Sequence, residues 1–353
     1  MDKADLQYLL AHIQQRTGLS EEQRTRLLAG VDSPWWLSVL LGLAAWVSSL
    51  FLMGSLLGPS ALLLDGPVGI GLAGLLMLCA GLWLFGRMGV FFEQMGLAFA
   101  LGGQGLLVYV LADAMGSSEA LRSAAIVCLP LSAILLLGPG SMLYRRICGL
   151  LVLGSIAVLL ESGPGLALYG LLLACVATVS WLRRLHWAGD GLALHLRALS
   201  DAATLMALLL AMYGHQGVLD AMTGHMSVLT VSPGVWLLIH AGPGLLLLLT
   251  LAWLLRGQPV KARSAGLLAA GLLILLTYQA PGLLISLALG LCVYHAGSRS
   301  WCMVVPAFAL FYLGEFYYSL HLSLLHKSLL LCASGFLLLM IRLGMRRLFW
   351  SPL

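Results

Sequence analysis

What most constrains this chain is the lack of any long polar interval. From Trp35 to the C-terminus, apolar runs follow one another with only short breaks, and none of the breaks is long enough to hold a soluble domain. Segments that spend their length in hydrocarbon must satisfy their backbone N–H and C=O groups internally, which favours helices. The expected fold class is therefore all-α: a polytopic helical membrane protein with about twelve transmembrane helices. Composition agrees, with 61% hydrophobic and 9% charged residues, against about 45–50% and about 25% in soluble domains. The net charge of +5 does not point to nucleic acid, because the basic residues sit in short loops between apolar runs, where they act as topology signals.

Two parts are expected, a cytoplasmic amphipathic helical pair over residues 1–34 and a transmembrane domain over residues 35–353. In the first part Leu6, Leu9, Leu10 and Ile13 recur at helical spacing. Thr17 and Gly18 then break the pattern, and Ser20 with Gln23 makes a capping-box signature for a second helix ending near Gly30. The first apolar run starts only after this polar segment, an order that argues against a cleavable signal peptide.

Twelve hydrophobic spans are read, punctuated by Gly and Pro. They are Trp36 to Leu57, Val68 to Phe85, Val90 to Ala112, Ser123 to Leu137, Ile147 to Leu160, Gly165 to Leu182, Leu196 to Tyr213, Val235 to Leu255, Ser264 to Tyr278, Pro281 to Tyr294, Trp301 to Ser319 and Leu324 to Arg342. With the N-terminus inside, the inner segments collect Lys3, Arg16, Arg24, Arg26, Arg87, Arg145, Arg146, Arg183, Arg184, Arg197, Arg256, Lys261, Arg263, Arg299, Arg342, Arg346 and Arg347. Of the 19 basic residues, only Arg122 and Lys327 are left outside. A miscount of one span would scramble that alternation, so both termini are expected in the cytoplasm of a multi-pass inner-membrane protein.

The costly polar residues within spans are the candidates for function. In the third span, Glu93 and Gln104 are eleven residues apart, about three helical turns, and share a face with Leu97 and Ala100. Gly96, Gly102, Gly103 and Gly105 would admit a neighbouring backbone. The span reads either as a close-packed helix pair joined through one amide or as a substrate or proton site. In the eighth span, His240 precedes Gly242, Pro243 and Gly244, a triplet expected to kink or interrupt the helix.

The stretch from Phe311 to Arg342 carries Glu315, the aromatics Phe316, Tyr317 and Tyr318, His321, His326 and Lys327. A chain reversal near His321 would place Glu315 and Lys327 at similar depth, where an ion pair reduces the cost of both charges. A turn directly after Gly314 would defeat that pairing. His215, His225, His240, His321 and His326 fall on the outer side in this topology, without the HxxxH or HExxH spacing of a local metal site. The seven cysteines lie within or beside apolar runs, never as CxxC, and read as small buried hydrophobes. Nucleophile elbows and Walker loops do not occur in the sequence. Neither a metal nor a cofactor is expected, and the chain is not expected to be an enzyme.

Two segments, FFEQMGLAFALGGQGLL (Phe91 to Leu107) and FYYSLHLSLLHKSLLLCASGFLLL (Phe316 to Leu339), resemble the bacterial membrane family DUF4401, and the N-terminal helical pair resembles DUF2157. The resemblance implies a multi-spanning bacterial inner-membrane protein, often encoded beside a GDYXXLXY-type membrane protein. It carries no established activity. Its positions here are Glu93, Gln94 and Gln104, then Tyr317, Tyr318, Lys327, Ser328 and Gly335. Two functional expectations follow: a non-enzymatic membrane subunit assembling with a partner of that type, or a secondary transporter or ion or proton pathway.

Overall fold

The computed structural model describes residues 35–319, apart from 64–66, 88, 117–118, 161–163, 188–191, 214–232 and 278–279, together with the helical positions Ser328, Cys332, Gly335, Phe336 and Leu339. Among the described residues the only regular structure is helix. In chain order the elements are α1 (Trp35–Leu63), α2 (Pro67–Leu84), α3 (Val90–Ala114), α4 (Ala120–Leu137), α5 (Met142–Leu159), α6 (Pro164–Leu182), the single turn α7 (Arg184–Trp187), α8 (Ala193–Tyr213), α9 (Pro233–Leu254), α10 (Val260–Thr277), α11 (Pro281–His295) and α12 (Arg299–Ser319). Seven of these, α2 to α6, α8 and α9, are long and apolar enough to cross a membrane, and shorter apolar stretches lie in α1, α11 and α12.

The helices form two compact units, the first holding α1 to α3 and the second α4 to α12. In the first, α2 and α3 make the closest pairing and α1 packs on both. The seam is built from glycine. A Cβ placed on Gly103 would stand 2.5 Å from the Gly74 carbonyl oxygen and 2.5 Å from the Leu78 nitrogen, and one on Gly81 would stand 2.5 Å from the Ala100 nitrogen. Backbones this close leave no room for any side chain, so association rests on van der Waals contact between main chains.

The opposite face of α2 shows what surrounds it. Its buried positions are Gly69, Ala73, Gly74, Met77, Leu78, Gly81 and Leu84, whereas Leu72, Leu75, Leu76 and Trp83 are exposed. A helix in water would turn polar groups outward; this one gathers its small residues on the buried face and displays large apolar ones outward. Such a distribution is stable against hydrocarbon, where small residues promote helix contact and bulky ones meet lipid. The same holds for α6, which buries Gly170, Ala174 and Ala177 and exposes Leu172, Val176 and Val179.

The second unit is organised around α8. It packs against α5, α6, α11 and α12, and α9 closes the group by contacting α6, α10 and α11. Ala198, Ala202, Ala203, Ala207 and Ala211 recur along α8 and are all buried, so several neighbours can approach it at once. The apolar core joins Leu153 of α5, Leu173 and Trp181 of α6, Leu208 of α8, Leu246 of α9, Leu289 of α11 and Val305 of α12.

One expectation changes here and one alternative is removed. The triplet Gly242, Pro243 and Gly244 does not interrupt its helix, since α9 is helical without a break from Pro233 to Leu254. Instead the triplet serves packing: Pro243 is fully buried, Gly242 meets Leu171 of α6, and a Cβ on Gly244 would stand 2.8 Å from Ile274 Cγ2 of α10. Neighbouring helices hold the proline in place, as they do elsewhere within membranes. In α12 the helix runs through Gly314 to Ser319, so the chain does not turn directly after Gly314.

Candidate functional site

The most concentrated polar chemistry in the described structure lies at one end of the second unit, where α5, α8 and α12 begin and α6 ends. Its centre is Asp201, eight residues into α8 and only 3% exposed. Its carboxylate is held from two directions. Arg146, at the start of α5, donates through Nε to Oδ2 at 2.7 Å, and the Trp301 indole, at the start of α12, donates through Nε1 to Oδ1 at 2.9 Å. Each oxygen thus has a donor, which is what a carboxylate removed from water requires.

A second layer of bonds orients these groups. The Trp301 ring meets Trp181 of α6 edge to face, with centroids 6.4 Å apart. Trp181 Nε1 donates to Thr204 Oγ1 at 2.8 Å, and Thr204 donates to the Ser200 carbonyl one turn earlier in α8. The hydroxyls of Ser180 and Ser200 lie 2.7 Å apart, linking α6 to α8, and Trp187 Nε1 donates to the Ser180 carbonyl. The Arg184 guanidinium lies 5.5 Å from the centre of the Trp181 ring. Four helices are therefore tied together by one buried carboxylate, two indoles and three hydroxyls.

Deeper in the unit, polar side chains bond back to their own helices. Thr250 donates to the Leu246 carbonyl and Ser286 to the Gly282 carbonyl, each at 2.8 Å. At the other end of the helices a small apolar cleft is lined by Gly170, Leu210, Ile239, Pro243, Gly282 and Ile285 among others.

The residues expected from sequence are spread more widely. In the first unit Gln104 is buried beside Leu97 and Ala100, as one helical face requires, but Glu93 at the start of α3 is exposed. The face continues geometrically to Glu93, yet the α2 seam ends with Gly81 and Leu84 opposite Gly96, leaving the first turn of α3 uncovered. Gln94 accepts a bond from Trp46 Nε1 of α1 at 3.3 Å. Of the four glycines, Gly96 and Gly103 face α2, Gly102 faces Met53 and Met77, and Gly105 faces open space. His240 is half-buried within α9, and Tyr317 is half-buried in the last turns of α12. The backbone of Glu315 and Tyr318 is helical. Lys327, His215, His225, His321 and His326 lie outside the described residues, as does the N-terminal pair over residues 1–34.

Asp201 escaped the sequence reading although a signal was present. It is a carboxylate five residues inside the stretch Leu196 to Tyr213, and an ionisable group within a span is a functional candidate by default. Its partners could not have been found from local spacing, because Arg146 lies 55 and Trp301 100 residues away.

Helices with apolar outer faces, small-residue seams and one paired internal charge define an integral, multi-pass membrane protein. Residues 34–348 match the family described as "Domain of unknown function (DUF4401)", and the chain belongs to that family. No curated protein and no solved structure matches it.

Proposed function

We propose that this is a bacterial inner-membrane protein of twelve spans with both termini cytoplasmic, acting as a non-enzymatic subunit that assembles with a second membrane protein of the GDYXXLXY type. The observation that carries this reading is the state of Asp201. Its two oxygens are occupied by Arg146 and Trp301, so the buried charge ties helices together and is not presented to a substrate. The hydroxyls of Thr250 and Ser286, bonded back to their own helices, add to the picture of a packed scaffold. The contact is assigned to the outer end of the last two spans, where Tyr317, Tyr318 and Lys327 combine aromatic and charged groups suited to an interface. The N-terminal DUF2157-like pair then lies on the cytoplasmic face.

Native mass spectrometry of the tagged protein, extracted from its own membranes in mild detergent, tests the proposal. A stoichiometric second polypeptide lost on Lys327→Ala supports it; a lone chain from membranes containing the partner refutes it.

A secondary transporter or proton pathway is the second reading, favoured by a carboxylate buried between helices. Proton or solute flux in proteoliposomes that Asp201→Asn abolishes, with insertion verified, would establish it in place of the first.

A further inference from the structure

Between the Asp201 node and the starts of α5 and α8, several nitrogen atoms are buried without a partner. Arg145 Nε is one, and both ring nitrogens of His195 are the others. Arg145 uses Nη2 to reach the Gly138 carbonyl at 3.3 Å, which leaves Nε unused. Its neighbour Arg146 engages Asp201 through Nε alone, so its two Nη groups remain as further donors. Buried N–H groups are almost always paired, and leaving one unmet costs about 1–3 kcal/mol.

These groups stand along one seam. Gly149 of α5 packs against α8, where a Cβ would stand 3.0 Å from the Ala202 Cβ and 3.7 Å from the Ala198 carbonyl oxygen. Arg145 precedes Gly149 by four residues, and His195 precedes Ala198 by three, so each lies one turn back on the face that meets the other helix. The two helices run the same way. The α6 helix is antiparallel to α8, with Gly170 against Leu210 and Ser180 against Ser200, and its early residue Tyr169 bonds the Leu153 carbonyl late in α5, as an antiparallel neighbour does. Going back from this contact on both helices therefore leads to Arg145 and His195 within about one turn of each other in level, beside the starts of α5 and α8.

The charge at that level is unbalanced. Among the described residues Asp201 offsets Arg146, and Arg145 remains as an extra cation. The position is also telling. Arg145 is the fourth residue of α5 and His195 the third of α8, about 3–5 Å inside the helix ends at about 1.5 Å per residue. That depth is where a span meets lipid headgroups, and basic pockets between transmembrane helices recognise anionic ones.

We propose that Arg145, His195 and the free Nη groups of Arg146 form a binding site for a phosphate anion at the seam of α5 and α8. A tetrahedral oxyanion offers several acceptor oxygens at once, so one ligand meets donors approaching from two helices, and its charge balances Arg145. The anion is either the phosphodiester of an anionic phospholipid or free phosphate.

The test uses the full chain, purified and stripped of lipid. Native mass spectrometry reads the binding of phosphatidylglycerol against phosphatidylcholine, and thermal unfolding reads the effect of inorganic phosphate. Wild type is expected to take up phosphatidylglycerol at concentrations at least about ten-fold below those needed for phosphatidylcholine. Arg145→Gln and His195→Leu should lose that preference, and Arg263→Gln, an exposed cation on α10, should keep it. Stabilisation by phosphate that vanishes in Arg145→Gln, without any lipid preference, identifies the free ion as ligand. If Arg145→Gln fails to fold, Arg145→Lys keeps the charge but lacks Nε and should bind more weakly than wild type. Wild type that shows neither lipid preference nor phosphate response, or an Arg145 variant that binds like wild type, overturns the proposal.

Discussion

Asp201 and Arg146 form a pair whose members are unequally placed, and that inequality predicts which substitution does more harm. The Arg146 side chain is 35% exposed and that of Asp201 only 4%. Replacing Asp201 by Asn leaves a cation that water can still reach. The amide oxygen still accepts from Trp301, and the loss is one charge-assisted bond, about 1.5 kcal/mol. Replacing Arg146 by Gln strands an ionised carboxylate among helices with one indole N–H for company. Breaking a buried pair in this way costs about 3–5 kcal/mol; partial exposure of the arginine trims the figure to about 2–4 kcal/mol. The double variant places two amides side by side and should be more stable than Arg146→Gln alone, giving a coupling of about 1–3 kcal/mol. Trp301→Phe keeps the ring but removes the second donor, at about 1–2 kcal/mol. The assay is unfolding in mixed micelles, titrated with a denaturing detergent and followed by helix content, for all four variants beside wild type. The reasoning fails if Asp201→Asn costs as much as Arg146→Gln, or if the two effects simply add.

Two further outcomes are expected. Gly103→Ala, whose new methyl group would meet the α2 backbone, should destabilise the first unit by about 1–3 kcal/mol, whereas Gly105→Ala, which faces open space, should stay within about 0.5 kcal/mol of wild type in the same unfolding measurement. For topology, a phosphatase reporter active only outside the cytoplasm should be active when fused after Met115 and inactive when fused after Gly257; the reverse pattern would invert the orientation.

The helices were legible because hydrocarbon imposes the same demand along the whole chain: every long apolar run must close its own backbone bonds. The first eleven runs read from sequence each fall on a helix. The glycines of the third run also signalled close packing, although only contact with α2 distinguishes Gly103 from Gly105. What could not be read was anything that depends on a neighbour. Glu93 shares a helical face with Gln104 but lies beyond the reach of α2, and Pro243 breaks no helix because α6 and α10 pack around it. The node at Asp201 is the extreme case, assembled from residues that become neighbours only once α5, α6, α8 and α12 are together.

That node also sets an order of events during synthesis. Arg146 leaves the ribosome 55 residues before the carboxylate that will hold it, and Trp301 follows 100 residues after Asp201. The nascent chain first holds an unmatched cation at the membrane surface, which is tolerable because a long arginine can lean toward water. It next acquires a half-satisfied acid, and only the arrival of α12 supplies the last donor. A ribosome stalled before Trp301 would leave a bundle with an open polar wound, one that quality-control proteases could recognise and that a finished chain no longer displays.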